Sequence, residues 1–177
     1  MRAPALHSAD SGLSTFEDYD IVYLPTSWAD LSAGDYVTIE SHASEYRSFV
    51  SGGGGVFIDQ PNPNGMPNSR VTPTLLPYPI TFYNSYNLSD YPPTIVDNRH
   101  DITQGLSASE MPFPADQMES VDSRYHILVK GSVTNAPSLV IAGYGRGKVL
   151  VQTAHPSTGA INPFSDEVYI RMVEWVG

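Results

Sequence analysis

The sequence predicts one α/β domain built on an open, mainly parallel sheet, with an antiparallel extension near its C-terminal end. Three observations lead there. Short β-rich apolar runs alternate with a helical pattern in the first third of the chain, two more apolar runs flank a glycine-rich turn near residue 145, and an amphipathic segment closes the chain. A length of 177 residues holds one hydrophobic core comfortably and two only poorly.

Residues 1–18 mix Ala, Ser, Asp and Pro without periodicity and read as an N-terminal arm or tail, with the domain proper at 19–177. The run Tyr19-Asp20-Ile21-Val22-Tyr23-Leu24, stopped by Pro25, is a buried strand opening into the Thr26-Ser27-Trp28 loop. Asp30 or Ser32 can cap the helix that follows. In it Tyr36, Ile39, Ala43, Tyr46 and Val50 recur at helical spacing. Gly52 to Gly55 end that helix. A phosphate cradle would follow a strand and open a helix, whereas this run follows a helix and opens a strand, so it is read as a C-cap and tight turn. Val56-Phe57-Ile58 is the second buried strand and runs directly into Asp59-Gln60-Pro61.

Residues 61–93, rich in Pro, Asn, Tyr and Ser, form a long excursion with one strand at Ile80-Thr81-Phe82-Tyr83. Asp97 to Leu106 reads as a loop with a helical turn. Strands follow at Tyr125–Val129, Ser138–Ala142 and Val149–Thr153, the last two joined by a hairpin turn at Tyr144-Gly145-Arg146-Gly147-Lys148. Asp166 to Val176 is an amphipathic helix offering Val168, Met172, Val173 and Trp175 to the core.

Composition narrows the function. A formal charge of −10 and only 9 Lys and Arg, scattered, argue against a nucleic-acid partner. With no cysteine there is no disulfide, thiolate metal site or thiol nucleophile, and the compartment stays open. No apolar run approaches the roughly 20 residues that span a bilayer, and residues 1–20 have no apolar core of a signal peptide, so a soluble chain without a membrane partner is expected. Asn87-Leu88-Ser89 fits the glycosylation triplet, a pattern common by chance.

The order of these motifs resembles the class I glutamine-amidotransferase-like superfamily, and within it the ThuA-like, trehalose-utilisation branch. The stretches that carry the resemblance are Tyr19–Leu24, Phe49-Val50-Ser51-Gly52-Gly53-Gly54, Val56–Ile58, Arg99-His100-Asp101-Ile102-Thr103-Gln104-Gly105-Leu106, Gly145–Val149, His155-Pro156, Asn162-Pro163 and the final helix. They span most of residues 19–176. The resemblance implies a flavodoxin-like fold with helices on both faces of the sheet. It also implies a cleft where Asp59 stands at the nucleophile position and His155 at that of the general base. An active amidotransferase has cysteine at the first place and a His-Pro-Glu run at the second. Here the residues are Asp59 and His155-Pro156-Ser157. With two of three triad parts changed, amide hydrolysis by that route is lost.

In open α/β sheets sites lie beyond the carboxyl ends of the strands, so Asp59 and His155 are expected to face one cleft. Candidate binding residues are Asp59, Gln60, His155, Ser157, Trp28 and His100. Asp59 and His155 are the catalytic pair if the chain is an enzyme, with the carboxylate as nucleophile and the histidine activating water. A metal held by Asp59, His155 and His100 finds no supporting spacing, and neither a metal nor a cofactor is expected. Trp28, Tyr78, Phe82, Tyr83, Tyr86 and Tyr91 offer a sugar-stacking surface, or simply pack the long loop onto the domain. Three functions follow: a non-catalytic module binding a small molecule, glycan or protein through the old cleft, a divergent hydrolase, or a structural domain. The resemblance also calls for a strand before Tyr19, where residues 1–18 offer little apolar material. A homodimer in which the arm or a sheet edge crosses to the partner is the expected remedy.

Overall fold

The computed structural model describes residues 6–7, 19–24, 39–59, 70–83, 90–111, 116–153 and 166–177. Ten strands and two helices follow in chain order: β1 Leu6–His7, β2 Ile21–Leu24, α1 Ala43–Gly52, β3 Gly55–Asp59, β4 Arg70–Val71, β5 Ile80–Tyr83, β6 Thr94–Ile95, β7 Gln117–Val121, β8 His126–Lys130, β9 Pro137–Tyr144, β10 Gly147–Gln152 and α2 Asp166–Val176. Seven strands make one sheet in the order β1-β2-β3-β10-β9-β8-β6, and β4-β5-β7 make a second.

The first sheet is mixed. Its β1-β2, β2-β3 and β3-β10 pairings are parallel, while β10-β9, β9-β8 and β8-β6 are antiparallel. The antiparallel extension is therefore as large as the parallel part, which corrects the mainly parallel expectation. The cause is β6, which reaches the far edge from the long excursion. A second correction concerns the start of the chain. Leu6–His7 pairs with Ile21–Val22, so the arm supplies a strand after all, and the missing strand no longer argues for a dimer.

The alternation of side chains along each strand sorts the core into two clusters. Val22, Leu24, Val56, Ile58, Val149 and Val151 pack with Ala43, Tyr46 and Val50 of α1 and with Ile80, Phe82 and Met118 of the small sheet. Ile21, Phe57, Leu150, Leu139 and Leu128 pack with Val168, Met172 and Val176 of α2. All five residues of β3 are buried, as expected of a strand covered on both sides. Each such aliphatic side chain contributes roughly 1.5–3 kcal/mol.

The glycine run works as a helix stop. Gly53 has φ 120°, and its N–H donates to the Val50 carbonyl at 2.9 Å, while Gly54 N–H donates to Phe49 O at 3.0 Å. The β9–β10 turn docks on this helix end: Arg146 donates its backbone N–H to Ser51 O at 3.1 Å and a guanidinium N–H to Gly52 O at 2.6 Å.

Asp90 organises the other hairpin. It is buried, and its Oδ1 accepts the N–H groups of Val133 at 2.8 Å and Thr134 at 2.7 Å, while Oδ2 accepts the Thr134 hydroxyl at 2.6 Å. Asp90→Ala leaves those donors unmatched in the β8–β9 turn. It is expected to cost about 2 kcal/mol of stability in urea unfolding, with Asp90→Asn recovering part. An unchanged midpoint in Asp90→Ala would contradict this role.

Candidate functional site

Asp59 closes β3 and lies opposite Gln152, which closes β10. The two strands are parallel, so partnered residues point to the same face, and both side chains sit at the carboxyl edge of the sheet. Both are 1% exposed. Period-two alternation also brings Tyr23 of β2 and Phe57 of β3 onto that face, and Tyr169 of α2 packs against them. The ring centroids stand 5.1 Å apart for Tyr23–Phe57, 5.9 Å for Tyr23–Tyr169 and 5.5 Å for Phe57–Tyr169.

Several polar atoms beside this aromatic base have no hydrogen-bond partner among the described residues. Tyr23 donates its hydroxyl to Asp59 Oδ2 at 3.3 Å, a long bond. Among the described residues, Asp59 Oδ1, both polar atoms of the Gln152 amide and the hydroxyl of the adjacent Thr153 are buried without a hydrogen-bond partner. The Gln152 amide is near enough to favour a charged Asp59, yet it makes no hydrogen bond of normal geometry. Burial dominates, pushing the Asp59 carboxyl well above the ordinary carboxylate range against the pull of Tyr23 and Gln152. The same burial, followed by the nearness of Asp59, pushes the Tyr23 hydroxyl upward, and burial raises Tyr169. Burial thus favours the protonated form of Asp59, which is a poor nucleophile and a hydrogen-bond donor.

Of the residues singled out in the sequence, Asp59 stands at the C-terminal end of β3. Trp28, Gln60, His155 and Ser157 lie outside the described residues, so the Asp59–His155 pairing belongs to the proposals. His100 does not approach Asp59. Its ring centroid is 5.7 Å from that of Trp175 and 6.3 Å from that of His126, and its Nδ1 accepts the Ile102 N–H at 3.2 Å. Trp175 marks the opposite end of the strands, because its carbonyl accepts the Nζ of Lys148, near the start of β10, at 2.6 Å. Arg171 of α2 holds the neighbouring segment there by donating to Gln104 O at 2.6 Å. Burial lowers the His100 pKa, and His126 pairs with Asp97 at 2.9 Å. Among the described residues no cluster of His, Asp or Glu suits a metal ion.

The described members of the aromatic set do not assemble into one stacking surface either. Phe82 is core, Tyr78 lies under the Arg124 guanidinium at 3.9 Å, Tyr83 lies under Arg70 at 4.7 Å, and Tyr91 donates its hydroxyl to Ser109 O at 3.1 Å. Tyr86 is outside the described residues. Gln152, Tyr23, Tyr169 and Thr153 escaped the sequence reading. Gln152 was legible only as the polar end of an apolar run, and its place opposite Asp59 depends on the β3–β10 register.

No helix of the described residues is long and apolar enough to cross a membrane. No protein-family model matches the chain, and no curated protein matches it. Solved structures do. A cytoplasmic protein of Salmonella typhimurium aligns with a TM-score of 0.63 at 13% identity, covering 91% of this chain and 73% of its own. A second cytoplasmic protein, from Salmonella typhimurium LT2, aligns with a TM-score of 0.58 at 16% identity, covering 96% of this chain and 77% of its own. At these identities the likeness is one of fold: a mixed α/β architecture shared along most of the chain.

Proposed function

We propose that this chain is a non-catalytic glutamine-amidotransferase-like module, of the ThuA-like kind, that binds a small molecule at the carboxyl edge of its sheet. One observation carries the reading. The carboxyl of Asp59, which the resemblance sets at the family's nucleophile position, is buried at the end of β3 beside buried polar atoms that have no hydrogen-bond partner among the described residues. Buried polar groups are nearly always hydrogen-bonded, and a cluster that is not calls for a ligand or ordered water. The flavodoxin-like description, with helices on both faces, fits the way α1 and α2 enter separate core clusters. The burial that favours the neutral form of this carboxyl weighs against the hydrolase alternative, since a neutral acid neither attacks carbon nor takes up a proton.

A thermal-shift screen of sugars, nucleotides and divalent metals tests the reading. A ligand specific to the native state stabilises it by about 2.7 kcal/mol at a hundredfold excess over Kd. The expected result is one class that raises Tm, with the shift lost in Asp59→Leu and no ammonia released from glutamine. Glutaminase activity above background that disappears in Asp59→Ala would overturn the non-catalytic reading. A screen with no shift in any class would remove the binding site.

A further inference from the structure

Resting on that reading, we infer that Asp59 and Gln152 form one hydrogen-bonding edge for an uncharged, hydroxyl-rich ligand, in which Asp59 acts as a donor. The geometry excludes the alternatives in turn. Among the described residues Asp59 Oδ2 accepts only the Tyr23 hydroxyl, and Oδ1 has no hydrogen-bond partner. None of the described arginines or lysines forms an ion pair with it, since Arg70, Arg124 and Arg171 engage Glu119, Asp122 and Glu167, and Lys148 is held by the Trp175 carbonyl. An ionised carboxylate here would be a buried charge without a counterion among the described residues, a costly arrangement.

Holding its proton, Asp59 offers one O–H donor and one carbonyl acceptor. Gln152, its register partner on the adjacent strand, offers an N–H₂ donor and a carbonyl acceptor, both unpartnered among the described residues. Such an edge matches groups that donate and accept at once, which hydroxyls do and which carboxylates, phosphates and ammonium groups do not. An anion would need a cation beside it, and a cation would need an ionised Asp59. Among the described residues the site supplies neither. The rings of Tyr23 and Tyr169, packed edge to face at 5.9 Å, stand beside Asp59 and make this side of the edge aromatic.

The test pairs neutral polyols with the acids of the same skeleton, in calorimetric titration of the full chain at neutral pH: glucose with glucuronate, galactose with galacturonate, and sorbitol with gluconate. At least one neutral member is expected to bind, its acid partner at least tenfold more weakly. Asp59→Asn keeps both donor and acceptor and is expected to hold affinity within about threefold. Asp59→Leu and Gln152→Leu are expected to lose at least tenfold, with far-UV circular dichroism confirming that each is folded. If Asp59→Leu does not fold, Gln152→Leu alone decides. Preferred binding of the acids, or loss of binding in Asp59→Asn, would overturn the ligand class while leaving a binding site at this edge. Absence of binding by every polyol overturns the inference. If Asp59→Leu and Gln152→Leu are then also more stable than the parent, the site reading falls with it, because the unpartnered atoms would be only a defect of the core.

Discussion

Stability is expected to fall as pH rises above the ordinary carboxylate range, and Asp59→Asn is expected to remove that fall. The cause is the raised pKa of Asp59, imposed by its burial. Below the unfolded-state value the carboxyl is protonated in both states, and its contribution is fully present. Above that value the unfolded chain releases the proton while the folded protein keeps it, so each further pH unit favours unfolding by about 1.4 kcal/mol. The loss ends once pH passes the folded-state value. Asp97, Glu110, Glu119 and Asp122 have lowered values from hydrogen-bonding partners. They act with the opposite sign and on the acid side, where their contributions disappear as pH falls. Urea unfolding at several points between about pH 5 and pH 8 separates the two limbs. The gap between Asp59→Asn and the parent should widen in the variant's favour as pH rises. A gap independent of pH would show that Asp59 is ionised in the folded protein.

Gly147→Ala should be among the most destabilising small substitutions in the chain, at about 3 kcal/mol. A Cβ there would stand 2.1 Å from the Gly54 carbonyl oxygen and 2.2 Å from that of Val50, both backbone atoms at the end of α1. Neither can retreat cheaply. Gly54 O accepts the Lys148 N–H at 3.3 Å, and Val50 O accepts the Gly53 N–H at 2.9 Å. Gly143, four residues earlier in the same hairpin, has nothing within 4 Å of its would-be Cβ and serves as the control. Gly143→Ala should be neutral or slightly stabilising through the unfolded chain. A cost below about 1 kcal/mol for Gly147→Ala, measured by chemical denaturation, would mean that the close approach relaxes.

That pair of glycines shows how far the sequence could be read. The helix ending at the glycine run, the hairpin at 144–148 and the closing helix were all legible from local pattern. Ile39, Ala43, Tyr46 and Val50 are buried at helical spacing, and the final helix runs Asp166–Val176 as expected. That the hairpin turn rests on the helix end was not legible, because it joins segments far apart in the chain. The same holds for β1, β4, β6 and β7. Leu6–His7 becomes a strand because β2 offers an open side, and Gln117–Val121 buries only Met118 fully. Neither has the apolar alternation that marks a strand on its own. The site divides in the same way. Asp59 announced itself by following a buried strand, whereas Gln152 and Tyr169 reach it only through long-range pairing and packing.

The two outermost strands of the larger sheet, β1 and β6, are each two residues long. Beyond β6 the flank of β8 is also taken up, as Val96 donates its N–H to Leu128 O at 2.8 Å and Asp97 pairs with His126 at 2.9 Å. Few backbone donors and acceptors are thereby left in line on either described flank. Templated growth of one molecule onto another, the first step of aggregation in β-rich proteins, needs a long flat row of them. A net charge of −10 adds mutual repulsion between copies. The brevity of these two strands, which hid them in the sequence, is thus also a safeguard for a domain whose core is mostly sheet.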